Sequence, residues 1–225
     1  MEERPVKSDV DHPAAKYCRS MDEIRDRLRA LYCSELAHGQ SGGAIADQSV
    51  MLNVRMILEL ISYSTLLANE NLDRQLIDND RVQGNQPRGI EHLTRAEGVL
   101  RKVERANPDF FPVPLASAEA DNEELHIADW DHGGLAFSKQ EWVELYEFVN
   151  EHLHVRNPFS LAPPLTSRRT VKEWADQLHD FLLLHRITLL GGESAVVRLG
   201  ELDGRTNATF RHVGPPDQQE FEWGR

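Results

Sequence analysis

Residues 50–68 read Val50-Met51-Leu52-Asn53-Val54-Arg55-Met56-Ile57-Leu58-Glu59-Leu60-Ile61-Ser62-Tyr63-Ser64-Thr65-Leu66-Leu67-Ala68. Wound as a helix, this stretch shows apolar side chains on nearly every face. A helix that is apolar all round is one surrounded by other protein. Asn53, Arg55 and Glu59 interrupt the run, so it reads as the core helix of a soluble protein and not as a membrane span. The expected element covers about residues 45–70 and forms the centre of a helical bundle.

On the N-terminal side, residues 1–16 are polar, carry Pro5 and Pro13, and read as a flexible arm. A first helix is expected near Ser20, with Asp22 and Glu23 where negative charge suits a helix start. Ile24, Leu28, Leu31, Cys33 and Leu36 form its apolar stripe, and His38-Gly39 with Gly42-Gly43 end it.

On the C-terminal side, residues 71–91 read as a loop. A third helix follows over 92–106, with Leu93, Ala96, Val99, Leu100 and Val103 inward, stopped by Asn107-Pro108. Phe110-Phe111-Pro112-Val113-Pro114-Leu115 is apolar but broken by prolines, hence extended. Residues 116–137 read as an acidic loop with one short strand near Leu125–Ala128. Ser138-Lys139-Gln140-Glu141 has the pattern of a capping box and opens a helix over 139–154 with Trp142, Leu145, Tyr146, Val149 and Leu153 on one face. Thr166 or Ser167 is expected to cap a fifth helix over 168–185, carrying Val171, Trp174, Leu178, Phe181 and Leu182. After His185 the helical period stops. Residues 186–190 and 195–199 flank Gly191-Gly192 as a β-hairpin, and Thr206–Val213 reads as a third strand. The fold class is therefore mainly α: a bundle of four to five helices over 17–185, a small β-hairpin appendage over 186–214, and a flexible tail over 215–225.

Composition sets the outer limits. The 225 residues are 40% hydrophobic and 28% charged, the balance of a globular chain able to bury its own core. The net charge of −12 repels phosphates at long range and argues against a general nucleic-acid coat. It leaves room for a local basic patch or a transient RNA substrate. Cys18 and Cys33 match no zinc or redox spacing and read as reduced thiols on or near the first helix. Met1-Glu2-Glu3-Arg4-Pro5 lacks the basic start and apolar run of a secretory signal, so a cytoplasmic location and no membrane contact are expected. The common nucleotide, dinucleotide, serine-hydrolase and metalloprotease signatures do not occur, and no cofactor is expected. His126, Asp129, Asp131 and His132 lie in one acidic loop and are of metal-ligating type. Their spacing matches no recognised site, so no metal is assigned to them.

Three segments stand apart: Arg55-Met56-Ile57-Leu58-Glu59-Leu60, Asn107-Pro108-Asp109-Phe110-Phe111-Pro112 and Leu153-His154-Val155-Arg156-Asn157-Pro158-Phe159. In that order they resemble a family of bacterial helical proteins that carry an arginine-plus-Leu-Glu central helix, an Asn-Pro-x-Phe-x-Pro segment and a Leu-His-x-x-Asn-Pro-Phe ending. The resemblance covers about residues 20–160. The helical layout is similar to that of the HEPN superfamily. This resemblance implies a homodimer, and for many members a metal-independent endoribonuclease of a toxin–antitoxin or antiphage system. The usual HEPN signature is an arginine and a histidine on one helix with about four to six residues between them. This chain departs from it. Arg205 and His212 have that spacing but fall in expected β structure, and the nearest helical analogue, His154-Val155-Arg156-Asn157, has the reverse order.

Metal-free RNA cleavage needs an acid or base that works near neutral pH and a cation for the pentacoordinate phosphate. His154 and Arg156 are of the right types. Arg55 and Glu59, four apart on the central helix, join them with Asn157 as the candidate catalytic set. The competing structural reading makes Arg55 and Glu59 an intrahelical ion pair and lets His154 and Asn157 satisfy backbone groups at a helix end. The expected partners are a second copy of the chain, a protein partner, and RNA as substrate. The alternative to an enzyme is a non-catalytic dimeric scaffold.

Overall fold

The computed structural model describes residues 13–41, 44–68, 96–121, 124–130, 137–153, 169–189, 194–200 and 206–211. Five helices and five strands lie within them: α1 (Pro13–Ser41), α2 (Ala44–Ala68), α3 (Ala96–Ala106), β1 (Val113–Asp121), β2 (Glu124–Asp129), α4 (Lys139–Leu153), α5 (Val171–Leu183), β3 (Leu184–Thr188), β4 (Ser194–Arg198) and β5 (Asn207–Arg211). The architecture is mainly helical, as the sequence pattern requires, with a small antiparallel sheet.

Helix α2 is the hub, with α1, α3 and α4 all packed against it. Val50, Val54, Ile57, Leu58, Ile61 and Leu66 are buried, and so are Ser62, Ser64 and Thr65. The three hydroxyls stay satisfied inside the core by donating back along the helix, to the carbonyls of Leu58 (3.1 Å), Ile61 (2.8 Å) and Ser62 (2.7 Å). By length and composition alone Asp47–Leu67 is apolar enough to cross a membrane, but half of its most apolar window is buried inside the protein. That burial comes from the packing of α1, α3 and α4 against it.

Helix α1 corrects the expected boundary. It begins at Pro13, not near Ser20, and continues through Gly39 to Ser41, so residues 13–16 belong to the helix and not to an arm. Proline is tolerated in a first helical turn, where its missing N–H has no partner to lose. The buried stripe starts earlier than the sequence reading placed it: Tyr17, Met21, Ile24, Leu28 and Leu31 follow one another at helical spacing.

Helix α3 buries Ala96, Val99, Leu100 and Val103 as expected. Asn107-Pro108-Asp109-Phe110 then makes a turn closed by the Phe110 N–H on the Asn107 carbonyl at 3.2 Å. The Asn107 side-chain amide donates to the Thr188 carbonyl at 2.8 Å and so ties the end of α3 to the end of β3. Phe110 enters the core at 1% exposure. Phe111 stacks on Phe181 of α5 with ring centroids 5.5 Å apart.

The sheet is larger than expected and is not confined to the C-terminal end. Its order is β2-β1-β3-β4-β5, with every pair antiparallel. The region 116–137, read as a loop with one strand, holds most of β1 and all of β2, paired from Ser117↔Ala128 to Asp121↔Glu124. Strand β1 is made of small and acidic residues with Pro114 near its start, so local β preference is weak and the pairing itself selects the strand. Through β1 the C-terminal strands join the middle of the chain: Val113 and Pro114 face Arg186 and His185 of β3. The hairpin expected around Gly191-Gly192 is β3–β4, starting two residues earlier than 186.

Helix α5 starts at Val171, capped by Thr170 and not by Thr166 or Ser167, two positions outside the described residues. Thr170 and Glu173 form a reciprocal capping box. Helix α5 then passes into β3 without a loop, which places its buried Leu178, Phe181 and Leu182 beside the sheet.

Candidate functional site

The capping box read at Ser138 exists. The Glu141 N–H donates to Ser138 Oγ at 3.1 Å and the Ser138 N–H to Glu141 Oε2 at 3.0 Å. It sets the start of α4 and therefore which face turns inward. Trp142, Leu145, Tyr146 and Val149 are buried on that face. Trp142 donates from Nε1 to the Leu58 carbonyl of α2 at 3.1 Å, which satisfies the one polar atom of a fully buried indole. Tyr146, one turn on, stacks against Trp142 with centroids 4.9 Å apart. Its hydroxyl donates to Glu59 Oε1 of α2 at 3.3 Å.

The same Glu59 oxygen accepts from Arg55 Nε at 2.9 Å. Arg55, Glu59 and Tyr146 thus form one network across two helices. The Arg55 and Glu59 side chains are 32% and 28% exposed, so the network sits at the edge of the core and faces water. The carboxylate bonded to it raises the Arg55 guanidinium above its ordinary value and keeps it cationic. Tyr63, one turn beyond Glu59, is raised first by burial and then by the Glu59 charge, so its phenol stays protonated. One end of the α2–α4 seam therefore offers a cation, a carboxylate and two phenol side chains, Tyr63 and Tyr146. That set can hold an anion, accept a proton, or close on itself as a structural staple.

Arg55 and Glu59 are brought together as the intrahelical pair that their spacing predicts. His154, Arg156 and Asn157, the rest of the candidate set, lie outside the described residues, as do Asp131 and His132 of the acidic loop. His126 is exposed on β2. Among the described residues no three His, Cys, Asp or Glu side chains are grouped as a metal site. Asn150, read as lying on a polar flank one turn before His154, has its Oδ1 buried and without a hydrogen-bond partner among the described residues. Sequence reasoning missed Tyr146 and Tyr63. Tyr146 was visible as a member of the inward stripe of α4, but its hydroxyl needed a partner on another helix to show its role. Tyr63 carried a signal in its spacing of four from Glu59.

No protein-family model matches this chain, no curated protein matches it, and no solved structure matches its fold.

Proposed function

We propose that the chain is a HEPN-like, cytoplasmic, homodimeric protein of a bacterial defence or toxin–antitoxin system, acting as a metal-independent endoribonuclease through Arg55, Glu59, His154, Arg156 and Asn157. The observation that supports this most is the half-open Arg55–Glu59–Tyr146 network, built from the two helices that carry or lead into two of the family-like motifs. Positions 142, 146, 150 and 154 also repeat at the spacing of one helix face.

In this reading Glu59 takes the proton from a ribose 2′-hydroxyl, and that oxygen attacks the adjacent phosphorus. Arg55 and Arg156 neutralise the charge on the pentacoordinate phosphate. His154 gives its proton to the leaving 5′-oxygen, and Asn157 orients the imidazole. The products are a 2′,3′-cyclic phosphate and a 5′-hydroxyl end. Tyr146 holds Glu59 in place.

The test is incubation of the pure protein with labelled RNA in EDTA. The expected result is cleavage by the wild-type chain and a loss of about 100-fold or more in His154→Ala and Arg55→Ala. An inert wild-type protein, or variants that cleave as well as wild type, would overturn the reading.

A second reading is a non-catalytic dimeric scaffold with a protein partner. It is favoured by the net charge of −12 and by the mutual neutralisation of Arg55 and Glu59 at 2.9 Å. Under it, Arg55→Ala and His154→Ala lower thermal stability and leave every assayed activity or partner interaction intact.

A further inference from the structure

A second polar centre lies deep in the core, apart from Arg55. His185 is the second residue of β3, just past the point where α5 becomes the strand, and its side chain is 0% exposed. Its Nδ1 lies 2.9 Å from the Leu182 carbonyl and therefore carries the proton it donates there. Nε2 is then the acceptor, and the Tyr17 hydroxyl of α1 donates to it at 2.8 Å. Tyr17 is 1% exposed, with Ser64 of α2 beside it. Helix α1, helix α5 and strand β3 thus meet at one neutral imidazole whose two nitrogens are both in use.

We infer that the Tyr17–His185 contact is an acid-sensitive latch, which holds the N-terminal turns of α1 on the sheet and releases them when His185 takes a second proton. A proton on Nε2 removes the acceptor for the phenol and leaves a cation in an apolar interior. The contacts given for His185 among the described residues include no carboxylate. Beside His185 in the sheet, β1 supplies Pro114 and β4 supplies Val197. Among the described residues α5 supplies the Leu182 carbonyl, Ser64 of α2 lies beside Tyr17, and the next residue of β3 is the cation Arg186. On α1, Tyr17 and Cys18 are both pushed up, chiefly by burial, so neither provides an anion. Asp22, a turn further along α1, accepts from the Thr206 N–H at 2.9 Å and pairs with Arg25 at 3.0 Å. The remainder of α1 is held independently, by Ile24, Leu28 and Leu31 in the core and by the Tyr32 hydroxyl donating to Asp176 at 3.0 Å. Release is therefore local to the first turns.

Burial pushes His185 down from 6.5 to about 4. A histidine depressed in the fold contributes its full stabilisation above its ordinary value, and that contribution drains away as pH falls toward the folded value. The window is thus from 6.5 down to about 4. Between pH 7 and pH 5 the opened form gains about 20-fold in population.

Hydrogen exchange of the full chain at pH 7 and pH 5, corrected for intrinsic rates, tests the latch. Amides around Tyr17 are expected to open about 20-fold more at pH 5, with those around Ile57–Ile61 unchanged. His185→Gln, whose amide accepts from Tyr17 and donates to Leu182, is expected to lose the pH response. An equal response across all helices, or the same response in His185→Gln, overturns the latch. Should that variant not fold, the wild-type imidazole is followed by NMR. A His185 titration that coincides with α1 opening supports the latch, and a His185 that stays neutral while α1 opens overturns it.

Discussion

At the scale of single residues, the Arg55–Glu59–Tyr146 network separates function from stability. Both charged side chains are partly solvated, and a pair of that kind contributes little to folding once solvent screening is counted. Glu59→Gln keeps the shape and removes the charge. It is expected to change unfolding free energy by less than about 1 kcal/mol in urea titration while abolishing any activity that uses the carboxylate. A larger stability loss with no functional change would mark the network as a staple. Asn107 presents the opposite case. Its amide is spent on the Thr188 carbonyl, at 8% exposure, so its place in the Asn-Pro-x-Phe-x-Pro segment is explained by architecture. Asn107→Ala removes this part-buried hydrogen bond and is expected to cost about 1 kcal/mol by the same titration.

At the scale of elements, α2 carries the fold. Leu58 and Ile61 are 0% exposed, whereas Leu52 on the same helix is 49% exposed. Leu58→Ala and Ile61→Ala are each expected to cost about 2–5 kcal/mol, from lost burial and the cavity left behind. Leu52→Ala is expected to stay within about 0.5 kcal/mol. Thermal melts of the three variants check the contrast, and equal losses would contradict burial at Leu58 and Ile61 with exposure at Leu52. Helix α5 depends on its start as well as its packing. Thr170→Ala removes the Oγ that accepts from the Glu173 N–H, and a cost of about 1 kcal/mol is expected.

At the scale of the whole molecule, the chain is held together from the centre outward. Helix α2 gathers α1, α3 and α4, while the sheet ties the middle of the chain to its C-terminal third through the β1–β3 pairing. The homodimer proposed above belongs to this scale. Light scattering at micromolar concentration is expected to give about twice the chain mass of 25.7 kDa, and a clean monomer would remove both the dimer and the dimeric form of the ribonuclease reading.

The helical part was legible in the sequence because its signals are local. The all-round apolar run of α2, the Ser138–Glu141 box and the stripes of α3 and α4 need nothing beyond 3.6-residue periodicity and capping chemistry. The pairing of Arg55 with Glu59 was legible for the same reason, since four residues make one turn. What the sequence could not show depends on partners far away in the chain. Strand β1 is a run of small and acidic residues with a proline, and only β2 and β3 make it a strand. Tyr146 read as one more apolar position on α4 until Glu59 appeared opposite it. Tyr17 and His185 stand 168 residues apart, neither with a partner legible in the sequence, and become one buried contact only in the folded chain. Local periodicity determines which segments are helices; side-chain chemistry at a distance is decided by packing, because a hydrogen bond has meaning only once both of its ends have lost their water.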